Sequence, residues 1–346
     1  MVRLGDVATG RDNNFNLIRI VAATAVLVSH AWPIALGANV VEPLQALTGH
    51  SLGGLAVFVF FAASGFFIAS SYARSRSVRV FLTARMLRLF PGLIVSLLLA
   101  ALVMGPMVTQ LALADYLTDP GTAAFVWRNT TLLFPQYTLP GVFTTNPYPS
   151  VEGSIWTLIH EVLCYGLVFA AGITGLLARR PLMTLALGGY VLLWALPIIM
   201  AVDIHPRLLQ TRELSFPFVL GMAFWLWRDR LILSVLGALV LAGLAAVTKD
   251  TALGFPVLML AVSYTTFWCA YAPGGRIRAY NAYGDYSYGV YVYAFPVQGL
   301  MIWLYGPMSP LLNIALAFPV TLTCAVLSWH LVEKPALDLV RARTKI

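Results

Sequence analysis

The sequence predicts an all-α integral membrane protein, a single polytopic domain over residues 1–346 with about ten transmembrane helices and both termini in the cytoplasm. Three observations predict it. Of 346 residues 60% are apolar, and only 10% are charged, against about 25% in a soluble domain. Apolar windows of about 20 residues, enough to cross a bilayer, recur from end to end. All but four of the 22 Lys and Arg (Arg128, Arg207, Arg212 and Lys249) fall on one side of the arrangement if the N-terminus is inside. That distribution, which counts Arg11, Arg76 and Lys345 with the inner face, assigns the net charge of +8 to the membrane's inner surface. It argues against a nucleic-acid partner.

The windows fall at roughly 16–37, 51–73, 89–113, 155–178, 181–201, 213–228, 231–248, 252–272, 284–306 and 309–332. The first, NFNLIRIVAATAVLVSHAWP from Asn14 to Pro33, carries Arg19 near its start and His30 near its end. Eleven helical steps separate the two by roughly 16 Å and leave both on about the same face. Ionisable groups inside a membrane span are costly and read as functional by default, although an arginine near a span end also snorkels. Between the second and third windows Arg74, Arg76, Arg79, Arg85 and Arg88 crowd one connection. Arg85 and Arg88 are spaced i, i+3 at an expected helix start, where two guanidiniums on one face suit a phosphate.

The long outer connection, about 114–154, mixes prolines with Asn146, Tyr148 and Glu152. Long connections of mixed aromatic and polar content are often functional, and this one suits a sugar. The fourth window opens SIWTLIHE. It places Glu161 roughly 9 Å deep, near the level of His30, where a carboxylate could orient the imidazole as a general base. His160 points about 100° away and ranks second. The roughly 16 Å between the arginine level and His30 matches the reach of a pantetheine arm, which makes an acyl-CoA a plausible ligand. Cys164, Cys269 and Cys324 lie in apolar runs without pairing or metal spacing. The N-terminal MVRLGDVATGRDN lacks the pattern of a signal peptide.

Six stretches in order resemble the acyltransferase family 3 membrane proteins, which O-acylate glycans and related acceptors. Arg19 and His30 fit that family's arginine, ten residues, histidine pattern. FFAASGFFIASS (Phe60 to Ser71) is similar to its second-span signature, and Arg85 and Arg88 to its Arg-x-x-Arg pair. SIWTLIHE resembles Ser-x-Trp-Ser-Leu-x-x-Glu, with Thr157 for the second serine. YGDYSYGVYVYAFPV (Tyr283 to Val297) resembles the late Ser-Tyr-x-x-Tyr-Leu-x-His-x-Pro stretch, and EKP at Glu333 the closing Glu-x-Pro. One departure is Ala294, where many relatives carry a histidine.

The resemblance implies a multi-pass bacterial inner-membrane enzyme without an added extracytoplasmic esterase-like domain. It would move an acyl group, acetyl first among the candidates, from cytoplasmic acetyl-CoA to a hydroxyl at the outer side, with no metal. The expected catalytic residues are His30 and Glu161. Arg19, Arg85, Arg88, Ser287 and Tyr288 are expected at the acyl-CoA, and Asn146, Tyr148, Ser154 and Trp156 at the acceptor. The implied partners are acyl-CoA, a glycan, glycolipid or other hydroxyl acceptor, membrane lipid and, left open, a second copy of the chain. A transporter or flippase of a lipid-linked sugar would use the same buried charges. It predicts inverted repeats, which the sequence lacks.

Overall fold

The computed structural model describes residues 1–10, 12–75 and 77–344. Arg11, Arg76 and Lys345, counted above with the inner face, lie outside the described residues. The chain is helical almost throughout, as lipid requires, because a helix satisfies its own backbone hydrogen bonds. The main helices are α1 (Phe15–Leu36), α2 (Leu52–Arg74), α3 (Val78–Leu99), α4 (Pro120–Thr131), α5 (Leu158–Ile173), α6 (Arg180–Ile199), α7 (Pro206–Leu226), α8 (Val235–Thr248), α9 (Gly254–Tyr271), α10 (Ser287–Tyr305), α11 (Pro310–Ser328) and α12 (Lys334–Thr344). π-helical turns at Ala100–Met104 and Trp329–Glu333 extend α3 and join α11 to α12.

Among the described residues, 7 helical runs are long and apolar enough to cross a membrane: Phe15–Leu36, Leu52–Arg74, Val78–Val108, Ile155–Ile173, Arg180–Ile199, Gly254–Tyr271 and Pro310–Leu339. The other three expected windows are helices too, with reasons to differ. α7 carries Arg207, Arg212 and Glu213 in its first half. α8 has 14 residues, about 21 Å against a hydrocarbon core of about 30 Å. α10 is rich in tyrosine.

Two expectations are corrected. The third helix begins at Val78, well before the apolar window, since Arg, Leu and Met are good helix formers however polar the stretch. Arg85 and Arg88 therefore lie two turns or more inside a helix, and the arginine-rich connection shrinks to residues 75–77. The long connection expected over about 114–154 is also less loop-like than its prolines suggest. Asp119 caps α4 by accepting from the Gly121 N–H at 2.7 Å, and Pro120 takes the first helical position.

The chain divides into two compact units. The first comprises Met1–Ile18, Val57–Val78 and His160–Tyr283. Its core gathers Leu4, Phe15, Phe66, Phe224, Tyr264 and Phe267, with Phe15 edge-on to Phe67, Phe267 and Tyr271. α2 and α7 cross at two glycines: a Cβ on Gly65 would stand 1.9 Å from the Phe218 carbonyl oxygen, and one on Gly221 2.0 Å from that of Ala62. Small residues at such a crossing let two backbones touch. A two-stranded antiparallel ribbon, Val2–Arg3 with Ile232–Leu233, ties down the N-terminus.

The second unit comprises Arg19–Ala56, Arg79–Ile159 and Gly284–Ile346. α10 is its buried axis, with Val290, Val292, Ala294, Phe295 and Gln298 each at most 3% exposed. α11 packs closely on it, where a Cβ on Gly289 would lie 2.6 Å from the Ala325 Cα. Gln298 and Asn313 bond reciprocally at 3.0 Å, and Gln298 also donates to the Leu27 carbonyl at 3.0 Å. Buried amides are tolerated in such a core because they are paired.

Candidate active site

Just before α10, within the second unit, Asp285 gathers two arginines from two other helices. Its Oδ2 accepts from Arg88 Nη2 at 2.7 Å and from Arg19 Nη1 at 3.1 Å, while its Oδ1 accepts from Ser287 Oγ at 2.6 Å. Arg88 turns Nη1 to Glu333 Oε2 at 3.5 Å, and Ser328 Oγ donates to Glu333 Oε1 at 3.0 Å. The planar fork of an arginine is what reaches two carboxylates at once. The Glu333 side chain is 2% exposed and that of Asp285 11%, against 27% for Arg19 and 23% for Arg88. The acids are thus buried behind the bases, and the guanidiniums keep an accessible edge. Tyr288 forms one wall: its hydroxyl donates to the Leu89 carbonyl at 2.7 Å, and its ring centre lies 5.8 Å from the Arg88 guanidinium carbon. Of the residues expected at the donor, Arg19, Arg88, Ser287 and Tyr288 come together here. Arg85 sits one turn earlier on α3, half-buried.

A second locus lies farther along α1 and α10. The His30 ring packs edge-on to Phe295 at 5.2 Å between centroids. Its Nδ1 is buried and has no hydrogen-bond partner among the described residues, a condition that a native structure seldom leaves without a reason. Phe295 also meets Tyr148 at 5.9 Å. It leaves no room for a side chain at residue 153, where a Cβ would stand 2.4 Å from the ring.

The turn around Gly153 is hydrogen-bonded throughout. Ser154 donates to Glu152 Oε1 through Oγ at 2.5 Å and through its N–H at 3.2 Å. The Tyr291 hydroxyl donates to the Ser154 carbonyl at 2.5 Å and lies 2.5 Å from Thr157 Oγ1. Burial pushes the Glu152 carboxyl up to about 8, against the pull of the Ser154 hydroxyl and N–H. Tyr148 and Ser154 thus belong to the His30 neighbourhood. Asn146 is committed to the Gly299 carbonyl at 2.9 Å, and Trp156 is half-buried in the turn Ile155–Thr157.

The spacing of the two loci can be measured along two helices. Arg19 to His30 is eleven steps, roughly 16 Å, and Ser287, which is bonded to Asp285, to Phe295 is eight, roughly 12 Å. Arg19 touches Asp285 and His30 touches Phe295, so α1 and α10 run side by side in the same direction through this unit.

Glu161 belongs to the first unit, where its Oε1 accepts from Ser64 Oγ at 3.2 Å and from the Tyr165 hydroxyl. His160 Nδ1 there pairs with Thr211 Oγ1 at 2.9 Å. Sequence reasoning missed Asp285 and Glu333 as partners of the arginines. Both stand in quoted stretches, and a carboxylate in an apolar run is itself a signal of a paired charge. It also missed Tyr291 and Phe295, which look like ordinary apolar residues of a span.

The acyltransferase family 3 model, described as an acyltransferase domain, matches residues 12–330. The chain belongs to that family. It is 29% identical over 341 residues to the O-acetyl transferase of Shigella phage Sf6, covering 94% of this chain and 96% of that one. It is 30% identical over 366 residues to Nodulation protein 10 of Rhizobium leguminosarum bv. viciae, covering 96% of this chain and 95% of that one. No solved structure matches. Family membership decides between the transfer and transport readings in favour of transfer.

Proposed function

We propose that the protein moves an acetyl group from cytoplasmic acetyl-CoA to a hydroxyl of a glycan or related acceptor at the outer side of a bacterial inner membrane. The carrying observation is the pair of loci roughly 16 Å apart along α1, one basic and partly accessible, the other holding a buried imidazole nitrogen with no partner among the described residues. Arg19, Arg85 and Arg88 hold the donor's phosphates, with Ser287 and Tyr288 lining its path. The pantetheine arm spans the interval to His30. The acceptor enters past Asn146, Tyr148, Ser154 and Trp156.

The acceptor oxygen attacks the thioester carbonyl carbon, its proton passes to His30, the C–S bond breaks, and the thiolate takes the proton from the imidazolium as CoA leaves. Glu161, on the depth argument from sequence, orients the imidazole. Ten spans with both termini cytoplasmic suit this arrangement, since the first and ninth spans would run in one direction, as α1 and α10 do.

Purified protein in detergent, assayed with radiolabelled acetyl-CoA, tests the reading. Arg88→Ala should weaken CoA binding. His30→Gln should bind CoA as wild type does and lose transfer about 10²–10⁴-fold, the usual worth of a general base. Wild type without CoA affinity while folded refutes the donor. His30→Gln with normal transfer refutes the base, and Glu161→Gln with normal transfer refutes its orienting role.

A further inference from the structure

In the first unit, Arg212 of α7 rests on an aromatic shelf. Its Nε donates to the Trp194 carbonyl at 2.8 Å, and Trp194 Nε1 donates back to the Arg212 carbonyl at 3.0 Å. The guanidinium carbon lies 4.0 Å from the Trp194 ring centre. That ring stacks on Phe255, at 5.6 Å and 14°, and meets Phe216 at 4.8 Å. These contacts fix the guanidinium in place. Yet Nη2 is buried with no hydrogen-bond partner among the described residues, an expensive state for a charged donor.

Arg212 lines a cavity of about 420 Å³ together with Asp203 and apolar residues that include Ile198, Val202 and Leu209. Among the described ion pairs, none joins Asp203 to Arg212. One cavity therefore holds a fixed cation and a separate anion. Its apolar side continues onto α6, the least enclosed of the candidate spans, with 11% of its apolar window buried. Ile198 is 43% exposed and Val202 54%.

The chemistry of a fitting ligand follows from these walls. The guanidinium charge that lines the cavity suits a phosphate. The carboxylate calls for a cation on the same molecule, and the exposed aliphatic face calls for hydrocarbon. A soluble anion would use only the first of these, and an anionic lipid would meet the charge of Asp203. We propose that this cavity binds the zwitterionic headgroup of an amino-phospholipid, with the phosphodiester on Arg212, the ammonium on Asp203 and the acyl chains along α6.

The test is native mass spectrometry of delipidated protein titrated with dioleoyl phosphatidylethanolamine, dioleoyl phosphatidylglycerol, or chain-free glycerophosphoethanolamine. Wild type should retain one phosphatidylethanolamine, prefer it to phosphatidylglycerol, and not retain the chain-free headgroup. Arg212→Gln should weaken phosphatidylethanolamine binding about tenfold or more, as loss of a charge-assisted contact implies. Asp203→Asn should bind both lipids equally. Wild-type affinity in Arg212→Gln, no lipid preference in wild type, or equal binding of the chain-free headgroup each overturns the proposal. If Arg212→Gln does not fold, Arg212→Lys, which keeps the charge, reads the loss of the guanidinium's placement on Trp194. Asp203 is exposed on a connection, so Asp203→Asn tests the selectivity by itself.

Discussion

Replacing Asp285 by asparagine keeps the side-chain volume and removes the charge at which two guanidiniums meet. With N–O distances of 2.7 and 3.1 Å, the charge centres stand about 4 Å apart, where one pair contributes about 4 kcal/mol at the effective dielectric near a protein surface. The arginines are 23% and 27% exposed, so solvent screening and the cost of desolvating the acid offset much of the total. A net loss of about 2–3 kcal/mol remains. In a chain of this length that lowers Tm by about 3–4 °C. Thermal unfolding in detergent, with and without CoA, is the assay. If the donor's phosphates bind Arg19 and Arg88, CoA supplies the missing anion, and it should raise the Tm of the variant more than that of wild type. A drop under about 1 °C refutes the shared counter-ion. An equal gain from CoA refutes the link between the ion cluster and the donor. Glu333→Gln should cost less, because its contact with Arg88 is longer, at 3.5 Å.

Three further outcomes follow from local geometry. Gly65→Val would drive a Cβ to 1.9 Å from the Phe218 carbonyl oxygen, and should cost more than about 3 kcal/mol, read as loss of detergent-stable protein. A variant with wild-type Tm would remove the α2–α7 crossing from the account. Glu152 holds its proton more tightly folded than unfolded, at about 8 against 4.5, so wild type should lose stability as pH rises through that interval. Glu152→Gln should flatten the decline between about pH 5 and 8, and an unchanged slope in Tm against pH would count against the burial argument. Tyr291→Phe frees the Ser154 carbonyl and Thr157. It should cost about 1–2 kcal/mol and raise KM for the acceptor while leaving KM for the donor unchanged; equal effects on both would make Tyr291 only a core residue.

Seven of the ten expected windows were legible as helices long and apolar enough to cross a membrane, because hydropathy alone predicts them, and hydropathy is also why the start of α3 was not. A helix laid through Arg79, Arg85 and Arg88 is invisible to a scale that scores only apolarity, although its residues are good helix formers. α4 was legible in principle from Asp119 and Pro120 but was masked by the surrounding prolines. At the site, the cations were readable one by one as costly groups in apolar runs. Their partners were not, because Arg19 and Asp285 lie 266 residues apart and Arg88 and Glu333 lie 245. One sequence carries no sign of which distant acid meets which base. His30 stood out as an ionisable group in an apolar span, whereas Phe295, which packs on its ring, is an aromatic among aromatics until packing singles it out.

Ala294 is the position where this chain departs most from the pattern it resembles, and its surroundings say how the chain accommodates the change. The residue is 1% exposed on the buried axis of α10, next to the Phe295 that packs on His30. An imidazole there would add several atoms to a filled interior, costing about 1–3 kcal/mol by overpacking. A polar group buried without a partner would add about 1–3 kcal/mol. Ala294→His should therefore lower Tm in detergent by about 3–8 °C and leave transfer no faster than wild type. If the variant instead keeps its Tm and accelerates transfer, a pocket for a second histidine survives beside α10, and His30 is not the whole of the base. If it loses stability without gain, the helix has closed around alanine, and no second histidine fits at this position.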